Sequence, residues 1–455
     1  MDILKQVNGA INGIVWGPYM LVLLVGTGIL FTVWLKVFQV TKISVWWKET
    51  FGQLFKKTPK TEKDDANITP FQAVTTALAS TVGTGNIAGV ATAIVAGGPG
   101  AVFWMWVSGF FGMMTKYAEI VLALKYRETD SDGTHHGGPM YYIEKGLKMK
   151  WLAVVFAVFG TLATFGIGNM TQANAIASSI EGTFKIPALA SGIVIALLCA
   201  LVIIGGIKRI ATVTEKLVPF MAVFYFIGGI IFLAINAGKL PGVFGSIFTN
   251  AFSFQSVGGG IMGYVIMRGM RYGIARGVFS NEAGLGSAPI AHAASRSENP
   301  VEQGLWGIFE VFVDTIIICS ISALVILCSG MYGTGDLSGA PLTISAFSST
   351  FGSFGGIFVT IAVACFAAST ILGWSYYGQQ CLGYLSKNNK TLDLCYKIVF
   401  SGLVIVGAIG GLEFVWDVAD TLNGLMAIPN LIALVLLSKV VVGLTKEYME
   451  NRRQA

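Results

Sequence analysis

Two stretches of the chain combine glycine, hydroxyl and amide residues in a way that could hold a small polar solute inside an apolar environment. The first reads Ala79-Ser80-Thr81-Val82-Gly83-Thr84-Gly85-Asn86-Ile87-Ala88-Gly89. The second reads Arg271-Tyr272-Gly273-Ile274-Ala275-Arg276-Gly277-Val278-Phe279-Ser280-Asn281-Glu282-Ala283-Gly284-Leu285-Gly286-Ser287. Glycines mixed with threonine and asparagine weaken any isolated helix. Three chemistries compete for the first stretch. Gly83-x-Gly85-x-x-Ala88 has the outline of a dinucleotide fingerprint, but no strand precedes it and no acidic residue follows at the required distance. Small residues also allow close helix packing. An unwound segment would instead offer carbonyls, amides and the Asn86 side chain to a ligand. At membrane depth such backbone is tolerated only where it lines a cavity or is buried in protein.

Other polar residues stand out in apolar surroundings. Phe366-Ala367-Ala368-Ser369-Thr370 lies in a stretch, 355–385, with no charged residue. Its two adjacent hydroxyls suit a hard cation that wants oxygen ligands; alternatively both bond carbonyls of their own helix. Glu310 and Asp314 lie one turn apart, with Asp314 near the middle of an apolar stretch. A carboxylate at such depth is costly and is by default a functional candidate; the other reading is a buried partner for Arg271 or Arg276. Glu282 carries the same two readings, while Glu119 and Lys116 read as structural and nearer the cytoplasmic end. Asn169 and Gln172, in Phe165-Gly166-Ile167-Gly168-Asn169-Met170-Thr171-Gln172, are three apart and would share a helix face. They contact a substrate ammonium or bond between helices. Trp374, one turn after Thr370, caps a pocket or packs. His135 and His136 follow a solvated turn and do not read as a metal site. The six Cys form no CxxC pair, which argues against zinc and disulfides.

Composition dictates the elements that must position these groups. Of 455 residues, 54% are hydrophobic and 12% charged, about half the charge fraction of a soluble domain. So few charges cannot cover several globules. There are 57 glycines without a G-X-Y period, which excludes collagen and leaves an all-α polytopic membrane protein with closely packed helices. No cleavable signal peptide is visible. A spanning helix needs about 20 apolar residues, and eleven stretches qualify: 14–38, 68–97, 101–125, 151–180, 187–206, 210–236, 260–295, 302–331, 355–385, 394–411 and 418–444. The seventh is interrupted by Arg268, Arg271, Arg276 and Glu282.

Basic residues are distributed unevenly along this pattern. The connections after spans 1, 3, 5, 7 and 9 and the C-terminal tail, counted with the span ends that border them, carry 23 of the 30 Lys and Arg, while the opposite side has Lys5, Lys185 and Lys239. The excess of basic residues on the cytoplasmic side places the N-terminus outside and the C-terminus in the cytoplasm of a cell-membrane protein. The net charge of +6 is therefore topogenic and does not point to nucleic acid. With span 1 set aside, ten spans remain, and spans 2 and 7 begin the two sets of five. Five is odd, so the halves run in opposite directions. Matching glycine-interrupted segments in two inverted halves point to a transporter site. Half-helix N-termini would face a carboxylate, and freed carbonyls a small cation. The expected division is 1–66 for the extra helix and basic loop, 67–236 and 237–445 for the two repeats, and 446–455 for the tail.

Val82-Gly83-Thr84-Gly85-Asn86-Ile87-Ala88-Gly89, Gly138-Pro139-Met140-Tyr141-Tyr142-Ile143 and Arg276-Gly277-Val278-Phe279-Ser280-Asn281-Glu282-Ala283-Gly284 resemble the signatures of the alanine/glycine:cation symporter family. The resemblance implies a leucine-transporter-like fold, coupling to sodium or sometimes protons, and uptake of alanine or glycine. It implies a sodium site from the Ser369 and Thr370 hydroxyls and the Ala79, Val82 and Phe366 carbonyls. A second cation site would draw on Thr81, Asn86 and Asp314. Gly83, Thr84, Gly85, Asn86, Phe165, Asn169, Gln172, Gly277 and Trp374 are the expected substrate contacts. The expected partners are a small neutral amino acid, sodium and membrane lipid, with no cofactor beyond the coupling ion. A proton-coupled transporter of the same fold is the alternative. A channel fits less well, since the chain carries its own two halves. No HExxH or GxSxG motif supports an enzyme.

Overall fold

The computed structural model describes residues 2–53, 67–252, 261–333, 335, 337–410 and 413–454. The elements are almost all helical. In chain order they begin with α1 (Asp2–Val15), α2 (Pro18–Trp34), α3 (Phe38–Thr41), α4 (Ile43–Glu49), α5 (Pro70–Thr81), α6 (Val90–Gly97) and α7 (Gly100–Lys125). A two-residue hairpin, Glu128–Thr129 against His135–His136, precedes α8 (Pro139–Leu147), α9 (Lys150–Phe165), α10 (Thr171–Phe184), α11 (Ala188–Ile203) and α12 (Gly206–Ile235). Then come α13 (Leu240–Phe252), α14 (Ile261–Asn281), α15 (Ala288–Ala293), α16 (Pro300–Val311), α17 (Ser320–Ser329) and α18 (Gly339–Phe351). The last four are α19 (Ser353–Ser386), α20 (Lys390–Ile409), α21 (Glu413–Leu436) and α22 (Ser438–Gln454).

Among the described residues, 8 helices are long and apolar enough to cross a membrane, and the bent pair Pro70–Thr81 and Gly85–Gly97 makes a ninth. Two of the eleven sequence stretches fall short of that measure for physical reasons. Ala188–Ile203 is only 16 residues long, and Ile261–Asn281 carries three arginines. The helices α1, α8, α13 and α18 were not among the expected spans. The first of them packs under α21, where Asn12 donates to Thr421 Oγ1 at 3.1 Å and Trp16 Nε1 to the Asp420 carbonyl at 3.0 Å.

The core forms around α7, which packs against α14 and α16. Small residues set that proximity. A Cβ added at Gly273 would lie 2.2 Å from the Ala101 carbonyl, and one at Gly277 would lie 2.5 Å from Ser108 Oγ. The outward faces of α11 and α12 remain apolar and uncovered, with Leu197, Leu201, Phe220 and Val223 exposed. An apolar exterior around a polar interior is the arrangement lipid requires.

Candidate functional site

The first break follows α5. Its start is fixed by a capping box, in which Thr69 Oγ1 accepts the Gln72 amide and Gln72 Oε1 accepts the Thr69 amide. Its end is abrupt. Val82 is extended, and a π-helical turn over Gly85–Gly89 leads into α6, bent by 48° from α5. Asn86 splints the break. Its Oδ1 accepts the Gly83 amide at 2.9 Å, and its Nδ2 donates to Asp314 Oδ1 at 2.6 Å.

The central part of α19 lies against this break. Ser369 Oγ is 3.1 Å from the Ala79 carbonyl and 2.8 Å from that of Phe366; Thr370 Oγ1 is 3.2 and 2.9 Å from the same two oxygens. The reading in which the hydroxyls bond their own helix is met at the Phe366 carbonyl, and both also reach across to the Ala79 carbonyl of α5. Two hydroxyl protons serve the two carbonyls, and the four oxygens converge with lone pairs to spare. A Cβ at Gly83 would lie 2.4 Å from Thr370 Oγ1, so only glycine permits this approach.

The second break is shorter than the glycine pattern suggests. The helix α14 continues through Gly273 and Gly277 to Asn281, and the interruption is confined to Glu282–Ser287. Glu282, Gly284 and Gly286 there adopt φ of 56°, 92° and 81°. Two buried charges from α7 satisfy the freed backbone. Lys116 Nζ donates to the Asn281 carbonyl at 2.7 Å and lies 3.4 Å from Glu310 Oε2. Glu119 Oε1 accepts the Gly284 and Gly286 amides at 3.1 and 3.0 Å and the Asn430 amide at 2.6 Å. These residues thus lie at the level of the second break, in the C-terminal half of α7.

The pairing with Arg271 or Arg276, one of the two readings of Glu310 and Asp314, is not formed among the described residues. Glu310 is bound by Lys116 and His292, and His292 in turn faces Gln303. Arg276 instead lies over the Phe279 ring. Asp314 accepts from Asn86, from Ser280 at 3.1 Å and from Thr315 at 2.8 Å, all neutral donors. Thr81 does not join that group. It donates to the Ala77 carbonyl and faces Lys116.

Between the two breaks lies a cavity of about 20 Å³, room for about one water. Gly83, Thr84, Gly85, Gln172, Thr370 and Trp374 line it, as do Ile167, Phe279, Glu282, Leu285 and Asn423. Three of its polar atoms, Thr84 Oγ1, Gln172 Oε1 and Asn423 Oδ1, are buried without a hydrogen-bond partner among the described residues. Buried polar groups are rarely left so, and all three can accept. Across the cavity Trp374 Nε1 donates to Glu282 Oε1 at 2.8 Å.

Four expected contacts lie outside the cavity lining. Asn86 is occupied with Gly83 and Asp314, Gly277 packs on α7, and the Phe165 ring rests on Tyr396 and Phe400. Asn169 donates to the Phe400 carbonyl at 2.6 Å, whereas Gln172 turns inward. Their shared face is lost because the chain forms a π-helical turn over Gly166–Met170, which changes the spacing. Gly168 permits it, since a Cβ there would lie 2.2 Å from Trp374. Asn423, unlike these, was missed, although it is an amide in an apolar stretch just as Gln172 is. Among the described residues no three His, Cys, Asp or Glu are grouped to hold a metal. The oxygen cluster at α5 and α19 has the neutral, hard character suited to an alkali ion, not a transition metal.

The sodium:alanine symporter family matches the chain over residues 1–455. The chain is 50% identical to the sodium/alanine symporter AgcS of Methanococcus maripaludis, covering 100% of this chain and 99% of that protein. It is 40% identical to the probable sodium/glutamine symporter GlnT of Bacillus subtilis, covering 99% and 92%. Among solved structures it resembles MhsT in complex with L-phenylalanine, with a TM-score of 0.57, 16% identity and coverage of 80% of this chain and 88% of that one. A sodium-coupled sialic acid symporter gives a TM-score of 0.57 at 14% identity, covering 94% and 86%. The fold is that of leucine-transporter-like proteins, and the chain is a multi-pass membrane transporter for amino acids and not an enzyme; it belongs to the sodium:alanine symporter family.

Proposed function

We propose that the chain couples an inward sodium gradient to the uptake of alanine and glycine by alternating access. The observation that carries this reading is the cluster of Ala79 and Phe366 carbonyls with the Ser369 and Thr370 hydroxyls at an open helix end. Sodium there would bind these oxygens and the Val82 carbonyl, at the negative end of α5. The substrate would occupy the adjoining cavity, which widens to accept it. Its ammonium donates to Gln172 Oε1 and Asn423 Oδ1, and its carboxylate meets Thr84 and the positive end of the half-helix beginning at Gly85. Ile167, Phe279, Leu285 and Trp374 would form the apolar wall against the substrate's side chain. The small neutral substrate also accords with the name of the 50% identical relative.

The proposed architecture has eleven spans: one extra helix, then repeats at 67–236 and 237–445 running in opposite directions. The N-terminus is outside, and the tail at 446–455 is cytoplasmic. In proteoliposomes, alanine uptake should require an inward sodium gradient; gradient-independent uptake would refute the coupling. A second reading is proton coupling through Asp314, supported by its burial among neutral donors only. Uptake driven by a pH gradient in sodium-free buffer, and abolished by Asp314→Asn, would establish it instead. If Asp314 serves a second cation, its companions would be Asn86, Ser280 and Thr315.

A further inference from the structure

A groove of about 680 Å³ runs between α2, α7 and α14 on the outer surface of the bundle. Leu21, Val25 and Ile29 form one wall, and Trp104, Met270 and Ile274 the other. Arg268 and Arg271 line it as well, both exposed and each 5.9 Å from the centre of the Tyr272 ring. Among the described residues, the lining contains no acidic residue.

The level of the two arginines follows from helix geometry. From Arg271 to the site at Asn281 is ten residues of α14, about 15 Å at 1.5 Å per residue. That is half the thickness of a hydrocarbon core of about 30 Å. Arg268 lies one turn further out. Both guanidinium groups therefore reach headgroup level, while the groove below them faces acyl chains. Positive charge above an apolar slot matches an anionic phospholipid: guanidinium pairs with phosphate oxygens in two-point fashion, and a chain fills the slot.

We infer that this groove is a binding site for an anionic phospholipid such as phosphatidylglycerol, held by Arg268 and Arg271. Which leaflet supplies it depends on the sidedness proposed above; the site itself does not. The extra helix α2, which forms one wall, would then owe part of its fixation to lipid.

The test is retention of added phosphatidylglycerol against phosphatidylcholine by the purified chain, read by native mass spectrometry. The wild-type chain should prefer phosphatidylglycerol by on the order of tenfold. The double substitution Arg268→Gln with Arg271→Gln should remove the preference, and Arg268→Lys with Arg271→Lys should keep most of it. Gly26→Phe fills the slot, since a Cβ at Gly26 meets no atom within 4 Å, and should reduce retention of both lipids. Alanine uptake by the same variants reports separately on transport and on folding. Equal retention of the two lipids by the wild type would overturn the inference. So would a preference that survives the glutamine pair, or a groove buried by self-association in lipid-free detergent.

Discussion

The two broken helices use the same backbone device but satisfy it differently. At Glu282–Ser287 the chain supplies both missing charges itself: Lys116 on the freed carbonyl of Asn281, and Glu119 on the freed amides of Gly284 and Gly286. At Val82–Gly85 the groups that meet the freed backbone are neutral. Hydroxyls of Ser369 and Thr370 face the Ala79 carbonyl, and the Asn86 amide splints the turn. The second break is electrostatically complete and the first is not. The incomplete one is where a cation and a zwitterion gain most by arriving, and the complete one is the fixed wall they arrive against.

The sharpest way to break this contrast is to remove a charge from the complete side. Lys116→Ala leaves Glu310 and the Asn281 carbonyl buried without their cation. Losing one member of a buried pair costs about 3–5 kcal/mol. Thermal unfolding in detergent should show a large loss of stability, independent of sodium and alanine. Glu119→Ala should behave alike, because three donors lose one acceptor. If either variant folds normally and fails only in transport, the assignment of a purely structural role is wrong.

The incomplete side should respond in the opposite manner. Thr370→Ala and Ser369→Ala each remove a candidate sodium oxygen from the cluster at α5 and α19. Stability without sodium should change little. The sodium concentration for half-maximal alanine binding should rise, on the order of 10- to 100-fold. An unchanged sodium dependence in both would remove this cluster from the coupling mechanism.

Two glycines make the same comparison at smaller scale. Gly284→Ala forces a side chain into φ of 92° and brings a Cβ to 2.7 Å from Leu24, so it should destabilise the fold by about 1–3 kcal/mol. Gly83→Ala has no such backbone problem, but its methyl group meets Thr370 Oγ1. That hydroxyl can rotate away, so unfolding should shift less while sodium-dependent binding is lost. Equal effects of the two substitutions on unfolding would mean that the first break is as rigid as the second.

How much of this was legible in the sequence differs between the two sides. Glycine clusters, a hydroxyl pair and an inward amide are local patterns, and the chain places Gly83, Gln172, Thr370 and Trp374 around one cavity. The low charge fraction also anticipated a membrane-embedded bundle, whose outward faces are apolar. What was not legible depends on distant partners. Glu119 meets amides 165 and 167 positions away, and no spacing rule links them. The π-helical turn that sends Asn169 to Phe400 and Gln172 to the cavity depends on the approach of Trp374 to Gly168. Glycine spacing alone also placed the second break too early, because Gly273 and Gly277 serve packing against α7 and only Gly284 and Gly286 serve the turn.

The smallest effect tests the link between the two sides. Trp374 extends from the helix that carries Ser369 and Thr370, and its indole N–H reaches Glu282 on the complete break. Trp374→Phe keeps most of the ring but removes that donor. Glu282 still accepts from Ser287, so the loss should be at the lower end of the 1–3 kcal/mol expected for a buried acceptor deprived of one partner. If Trp374 merely fills space, alanine affinity should stay constant. If the hydrogen bond fixes the wall against which the substrate packs, alanine affinity should fall about fivefold, with the sodium dependence preserved. Isothermal titration with alanine at saturating sodium separates the two, because the cation cluster lies one turn away and retains every one of its oxygens.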